Sequence, residues 1–193
     1  YCSTDNDETK ARELISMLSQ RQVDGYIITP TLNLAEEIRR LQAENKPVVL
    51  IDRYFPEHEE IPSVLVDNYA GVAEGMEFLF AKGYQNIGLV TIEADMAHMH
   101  DRLQAYYDTL RKHDMPQDRR LVKQVPYGYV HEAALEEVED FLTGDGKDCD
   151  ALFFLTNYLG VLGIEAAKKL NIRIPTDKAF LCQIVDCFRP PGM

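Results

Sequence analysis

The 193-residue sequence contains no run of about 18 consecutive apolar residues, the length that a membrane-spanning helix requires. It also lacks any cluster of basic side chains. No run of Lys and Arg exceeds two residues, Arg119-Arg120 beside Asp118 being one such pair, and the formal net charge is −12. Neutralising nucleic-acid phosphates needs grouped lysines and arginines, so these residues are not expected to grip DNA themselves. No Cys-x-x-Cys pair occurs among Cys2, Cys149, Cys182 and Cys187. The expectation is mostly buried, free thiols in a reducing compartment, with no zinc site and no disulfide. The opening stretch from Tyr1 to Asp7 is polar and does not read as a secretory signal. Enzyme signatures are missing as well. Gly144-Asp145-Gly146 lacks the helix and the lysine-threonine pair of a phosphate loop, and there is no Gly-x-Ser-x-Gly elbow. Neither catalysis nor a cofactor is expected.

Apolar residues make up 46% of the chain and charged residues 27%, enough to bury one large domain core or two small α/β lobes. Ala11, Leu14, Ile15 and Leu18 stand at offsets 0, 3, 4 and 7 and predict a helix over 8–20. The run 24–30 then reads as a buried strand stopped by Pro30. The alternation continues. Strands are expected at 48–51, 63–66, 86–92, 121–125, 151–155 and 179–185. Helices are expected around Leu34, Ile38 and Leu41, and then at 69–82, 101–113, 131–142 and 158–170. Strand–helix alternation at these lengths means parallel sheets flanked by helices. Such sheets bind ligands beyond the carboxyl ends of their strands. The residues to watch are therefore Thr29, Asp52, Arg53, Asp67, Asn68, the loop 92–102, Tyr127, Asn157 and Asp186.

Seven segments then occur in a recognisable order: VDGYIITP (23–30), PVVLIDR (47–53), SVLVDNYAG (63–71), GYQNIGLV (83–90), RLQAYYDTL (102–110), ALFFLTN (151–157) and LNIRIPTDKA (170–179). Together they resemble the effector-binding core of the LacI/GalR family of bacterial transcription regulators. The most specific pieces are Ile51-Asp52-Arg53, Val66-Asp67-Asn68 with Gly71, and Arg102 with Tyr106. The resemblance implies a two-lobed, periplasmic-binding-protein-like α/β fold of type I with a cleft for a sugar or small metabolite. It implies an N-terminal lobe over 1–67, short of its first strand and helix, and a C-terminal lobe over 68–193 with an incomplete end. Family membership further implies a cytoplasmic homodimer that reaches operator DNA only through a separate head domain. A periplasmic solute-binding protein would share the fold. The departures are Thr156-Asn157-Tyr158, where many members carry Asn-Asp, and the segment from Gln183 to Met193, which does not continue the pattern.

The resemblance places Arg102, Asn157, Asp52 and Asp186 at the effector. Each also has a plainer reading. Arg102 opens the expected helix at 101–113, where a cation needs a local partner such as Asp101 or Asp95. Its planar fork suits a hydroxyl or carboxylate. Arg102→Ala is expected to abolish effector binding and to leave the fold intact. Asn157 offers a donor and an acceptor to a hydroxyl, or caps the helix at 158–170. Asp52 is a sugar contact or a turn residue paired with Arg53. Asp67 and Asn68 read better as a helix cap. His98-Met99-His100 sits in an expected loop with no third ligand, so no metal is assigned to it. Tyr127 and Tyr129 could stack on a sugar ring, although aromatics more often pack.

Overall fold

The structure, a computed structural model, describes residues 1–5, 7–126, 128 and 131–183. Contacts divide the chain into two compact units, Tyr1–Val66 and Asp67–Met193. The first unit holds the helices α1 (Glu8–Gln20) and α2 (Ala35–Ala43) and the strands β1 (Tyr26–Ile28), β2 (Val48–Ile51) and β3 (Ser63–Val64). The strands pair in parallel in the order β1-β2-β3. Asp7 caps α1 by accepting from the Lys10 amide at 2.7 Å. Tyr26, Val48 and Leu50 point to one side of this sheet and bury with Ala11 of α1 and Ile38 and Leu41 of α2. Ile27 and Val64, of opposite parity, are exposed. The expected loop at 53–60 contains a single 3-10 turn, Pro56–His58.

The second unit runs α3 (Asn68–Ala81), β4 (Ile87–Glu93), α4 (Ala97–Lys112), β5 (Val122–Pro126), α5 (His131–Thr143), β6 (Ala151–Phe154), α6 (Asn157–Lys169) and β7 (Ala179–Cys182). Its four strands are parallel in the order β5-β4-β6-β7. The period-2 alternation of β6 divides its side chains between two cores. Ala151, Phe153 and Leu155 pack with Val72, Met76 and Leu79 of α3 and with Met99, Ala105, Tyr106 and Leu110 of α4. Leu152 and Phe154 pack with Leu135, Val138 and Phe141 of α5 and with Leu159, Leu162 and Ala166 of α6. Helices thus cover both faces, which a parallel sheet requires.

Polar pins fix the layers. The Tyr106 hydroxyl donates to the Ile87 carbonyl at 2.8 Å and ties α4 to the start of β4. Burial pushes its phenol well above the usual tyrosine range. Asp150 accepts from the amides of Gln85 (2.8 Å) and Asn86 (3.1 Å), so one carboxylate holds the first residues of two neighbouring strands in step. Lys178 is 5% exposed. Its ammonium donates to the carbonyls of Gly146 (2.9 Å), Lys147 (3.2 Å) and Cys149. Cys149 is buried, Cys182 half-buried and Cys2 exposed, and all three are free thiols. Burial pushes the Cys149 thiol up to about 11.

The contact of α6 with β6 depends on absent side chains. A Cβ at Gly163 would lie 2.2 Å from Cζ of Phe154, a ring that is fully buried. Ala is favoured over Gly in a helix by about 1 kcal/mol, but overpacking a filled core costs about 1–3 kcal/mol. This ring has no room to withdraw, so the overlap outweighs the helix gain. Gly163→Ala is therefore expected to destabilise the chain by up to about 2 kcal/mol net. A urea midpoint equal to or above that of the parent would contradict this.

Candidate functional site

The carboxyl edge of the second sheet assembles from three elements. Helix α4 begins at Ala97, earlier than the spacing predicts, and Met96 caps it without a side-chain bond. Arg102 therefore stands in the second turn instead of opening the helix. It is 4% exposed. The expected partners Asp101 and Asp95 do not hold it. Its Nε donates to Oδ1 of Asn68 at 2.8 Å, and its Nη1 donates to the Leu155 carbonyl at 2.6 Å. Asp95 instead lies 3.3 Å from Nε2 of His100. His98, Met99 and His100 belong to the first turns of α4 and not to a loop. Among the described residues no group of three or more His, Cys, Asp and Glu side chains could hold a metal ion.

Leu155 closes β6, its amide bonded to the Val90 carbonyl at 3.0 Å. Two residues on, Asn157 is exposed at the first position of α6. The cap is Thr156, whose hydroxyl accepts from the Leu159 amide at 3.3 Å. This corrects the assignment of the cap to Asn157. Both residues are good cap formers, and the extended backbone of Thr156 decides between them. Arg102 and Asn157 thus meet the same end of β6, one through the Leu155 carbonyl and the other by chain position. On the neighbouring strand, the Cys182 thiol donates to the Thr156 carbonyl at 3.2 Å, and burial raises its pKa.

Asp67 and Asn68 divide what was expected of them jointly. Asp67 caps α3 by accepting from the Ala70 amide at 2.8 Å. The buried Asn68 turns to Arg102 instead. No local signal in the sequence joins these two residues, which lie 34 positions apart.

Asp52 lies in the first unit, directly after β2. Its φ of +69° is left-handed, a conformation that Asp tolerates better than most residues. Its carboxylate stands 3.9 Å from Nε of Arg53, and Arg53 Nη1 reaches the Pro30 carbonyl at 3.4 Å. The pair therefore links the chain just past β1 to the end of β2. Asp186, Tyr127, Tyr129 and Cys187 lie outside the described residues.

Comparison with known proteins agrees with this architecture. Residues 3–142 match the family described as periplasmic binding proteins and sugar binding domain of LacI family. "Probable HTH-type transcriptional regulator EndR" of Paenibacillus polymyxa is 32% identical over 125 residues, 63% of this chain and 36% of the relative. The HTH-type transcriptional regulator DegA of Bacillus subtilis (strain 168) is 25% identical over 183 residues, 93% of this chain and 53% of that protein. The chain thus spans at most about half the length of these curated relatives. The fold matches the transcription regulator CcpA of Lactococcus lactis with a TM-score of 0.78 at 21% identity, covering 94% of this chain and 65% of that one. It matches the regulator CelR, solved with cellobiose, with a TM-score of 0.74 at 21% identity, covering 90% and 53%. With two parallel sheets, helices packed on them and this match over residues 3–142, the chain belongs to the family of periplasmic binding proteins and LacI-type sugar-binding domains.

Proposed function

We propose that the chain is the effector-binding core of a LacI-type transcription regulator and takes a sugar or a similar polyhydroxyl metabolite at the carboxyl edges of its sheets. The observation that carries this reading is the Arg102 guanidinium, buried and aimed by two short hydrogen bonds at the end of β6, where Asn157 stands exposed. A planar donor fork beside a carboxamide is suited to the directed hydrogen bonds of a polyol. Asp52, at the end of β2, is assigned the same role. Curated relatives named as regulators favour a regulator over a transport binding protein. The proposal includes a homodimer in the cytoplasm. Among the described residues no helix is long and apolar enough to cross a membrane. Operator DNA would be gripped by a separate basic head, since this chain's net charge is −12.

The test is calorimetric titration of the chain with ribose, cellobiose and a panel of other mono- and disaccharides. A relative named as a ribose operon repressor and the CelR–cellobiose structure motivate the first two. One sugar is expected to bind, and Asn157→Ala and Arg102→Lys are each expected to weaken it at least ~10-fold, or ~1.4 kcal/mol. Unchanged affinity in both variants, or no binding by the parent across the panel, would remove these residues from an effector site.

A further inference from the structure

We propose that Asn68 is a positioning residue for the effector site: it aims Arg102 and does not itself meet the ligand. The inference rests on the reading that Arg102 contacts the effector. A guanidinium on a flexible stem has many orientations, and a single hydrogen bond leaves its plane free to rotate. Two bonds in different directions fix it. Here Nε donates to Asn68 Oδ1 at 2.8 Å and Nη1 donates to the Leu155 carbonyl at 2.6 Å. Each acceptor is itself held. Leu155 is anchored to β4 through the Val90 carbonyl. Asn68 is the first residue of α3, whose first turn is closed by the Gly71 amide on the Asp67 carbonyl at 3.1 Å. The Gln183 side chain lies over that turn, its Nε2 2.8 Å from where a Cβ at Gly71 would stand. Asp67 serves as the cap, and Asn68 Oδ1 accepts from the arginine.

Three elements, α3, α4 and β6, therefore triangulate one side chain. Orienting an arginine before binding removes rotamer entropy that the ligand would otherwise have to offset. The role requires an acceptor at position 68 and not merely a side chain of that size. Asn68→Leu keeps the branched shape, with bulkier methyl ends, and loses the acceptor. Asn68→Asp keeps an acceptor and gives it charge, which strengthens the bond.

The experiment is arginine Nε–H spectroscopy by 1H–15N NMR on the full chain, with the Arg102 signal assigned by its disappearance in Arg102→Lys. The parent is expected to show a slowly exchanging Nε–H. Asn68→Leu should bring its exchange towards that of exposed arginines, and Asn68→Asp should keep it slow and shift it downfield. Titration with the sugar that binds the parent should show affinity at least tenfold weaker in Asn68→Leu and within about threefold of the parent in Asn68→Asp. An unchanged Nε–H in Asn68→Leu overturns the proposal. If that variant does not fold, an unshifted Nε–H in Asn68→Asp does so. A signal that responds as expected while the parent binds no sugar overturns the effector reading alone and leaves Asn68 as the residue that orients Arg102.

Discussion

Replacing Lys178 with methionine is expected to lower the unfolding free energy by about 1–3 kcal/mol, a large share of a domain's margin. The ammonium serves the carbonyls of Gly146, Lys147 and Cys149 in the turn ahead of β6. Methionine preserves the apolar stem and removes all three donors. Gly146 retains the Cys149 amide at 3.2 Å and the Lys147 carbonyl is only partly buried, so the loss falls chiefly on the buried Cys149 carbonyl. A buried acceptor left without a donor costs about 1–3 kcal/mol. Opposing this is the desolvation of the ammonium, which lowers the Lys178 pKa and which the substitution relieves. The buried Cys149 carbonyl, left without a donor, outweighs it. Urea unfolding with an unchanged slope and a lower midpoint is the expected record. A loss under about 0.5 kcal/mol, the ordinary range for surface changes, would show that the ammonium does not hold this turn.

Arg102→Ala is expected to abolish effector binding and also to destabilise the chain by about 2–4 kcal/mol. The second half corrects the expectation that the fold would be left intact. That expectation placed the arginine at a helix start, facing the effector and without a part in the core. It is instead buried, and truncation would take a donor from Asn68 Oδ1 and from the Leu155 carbonyl and leave a void where the stem packed. Thermal unfolding measured beside titration separates the two effects. If the variant unfolds with the parent, the two hydrogen bonds do not contribute to stability. If it still binds the sugar as the parent does, Arg102 is no effector contact.

The parts of the fold that follow from local patterning were readable in the sequence. The stripe Val72, Met76 and Leu79 is buried on α3, and the apolar run at 151–155 is buried on both faces because its alternating side chains serve two cores. The start of α4 was not readable. Helix starts announce themselves through capping side chains, and Met96 makes no such bond. The Asp67-Asn68 pair carried a cap signal that the structure gives to Asp67 alone. The partner of Arg102 was invisible because it comes from the topology, which lays the first turn of α3 beside α4 and the end of β6. Lys178 was missed for the same reason. A lysine ahead of a strand reads as solvated until the turn at 146–149 is folded against it.

The two-sided burial of β6 also bears on how recognition could be redesigned. All five residues from Ala151 to Leu155 are committed to one core or the other, so a substitution there alters folding before it alters what is bound. Latitude opens past the Thr156 cap, at Asn157 and Tyr158, whose side chains are exposed. A mutagenesis library aimed at new ligands is best confined to those tips, with the strand beneath them left as an invariant chassis.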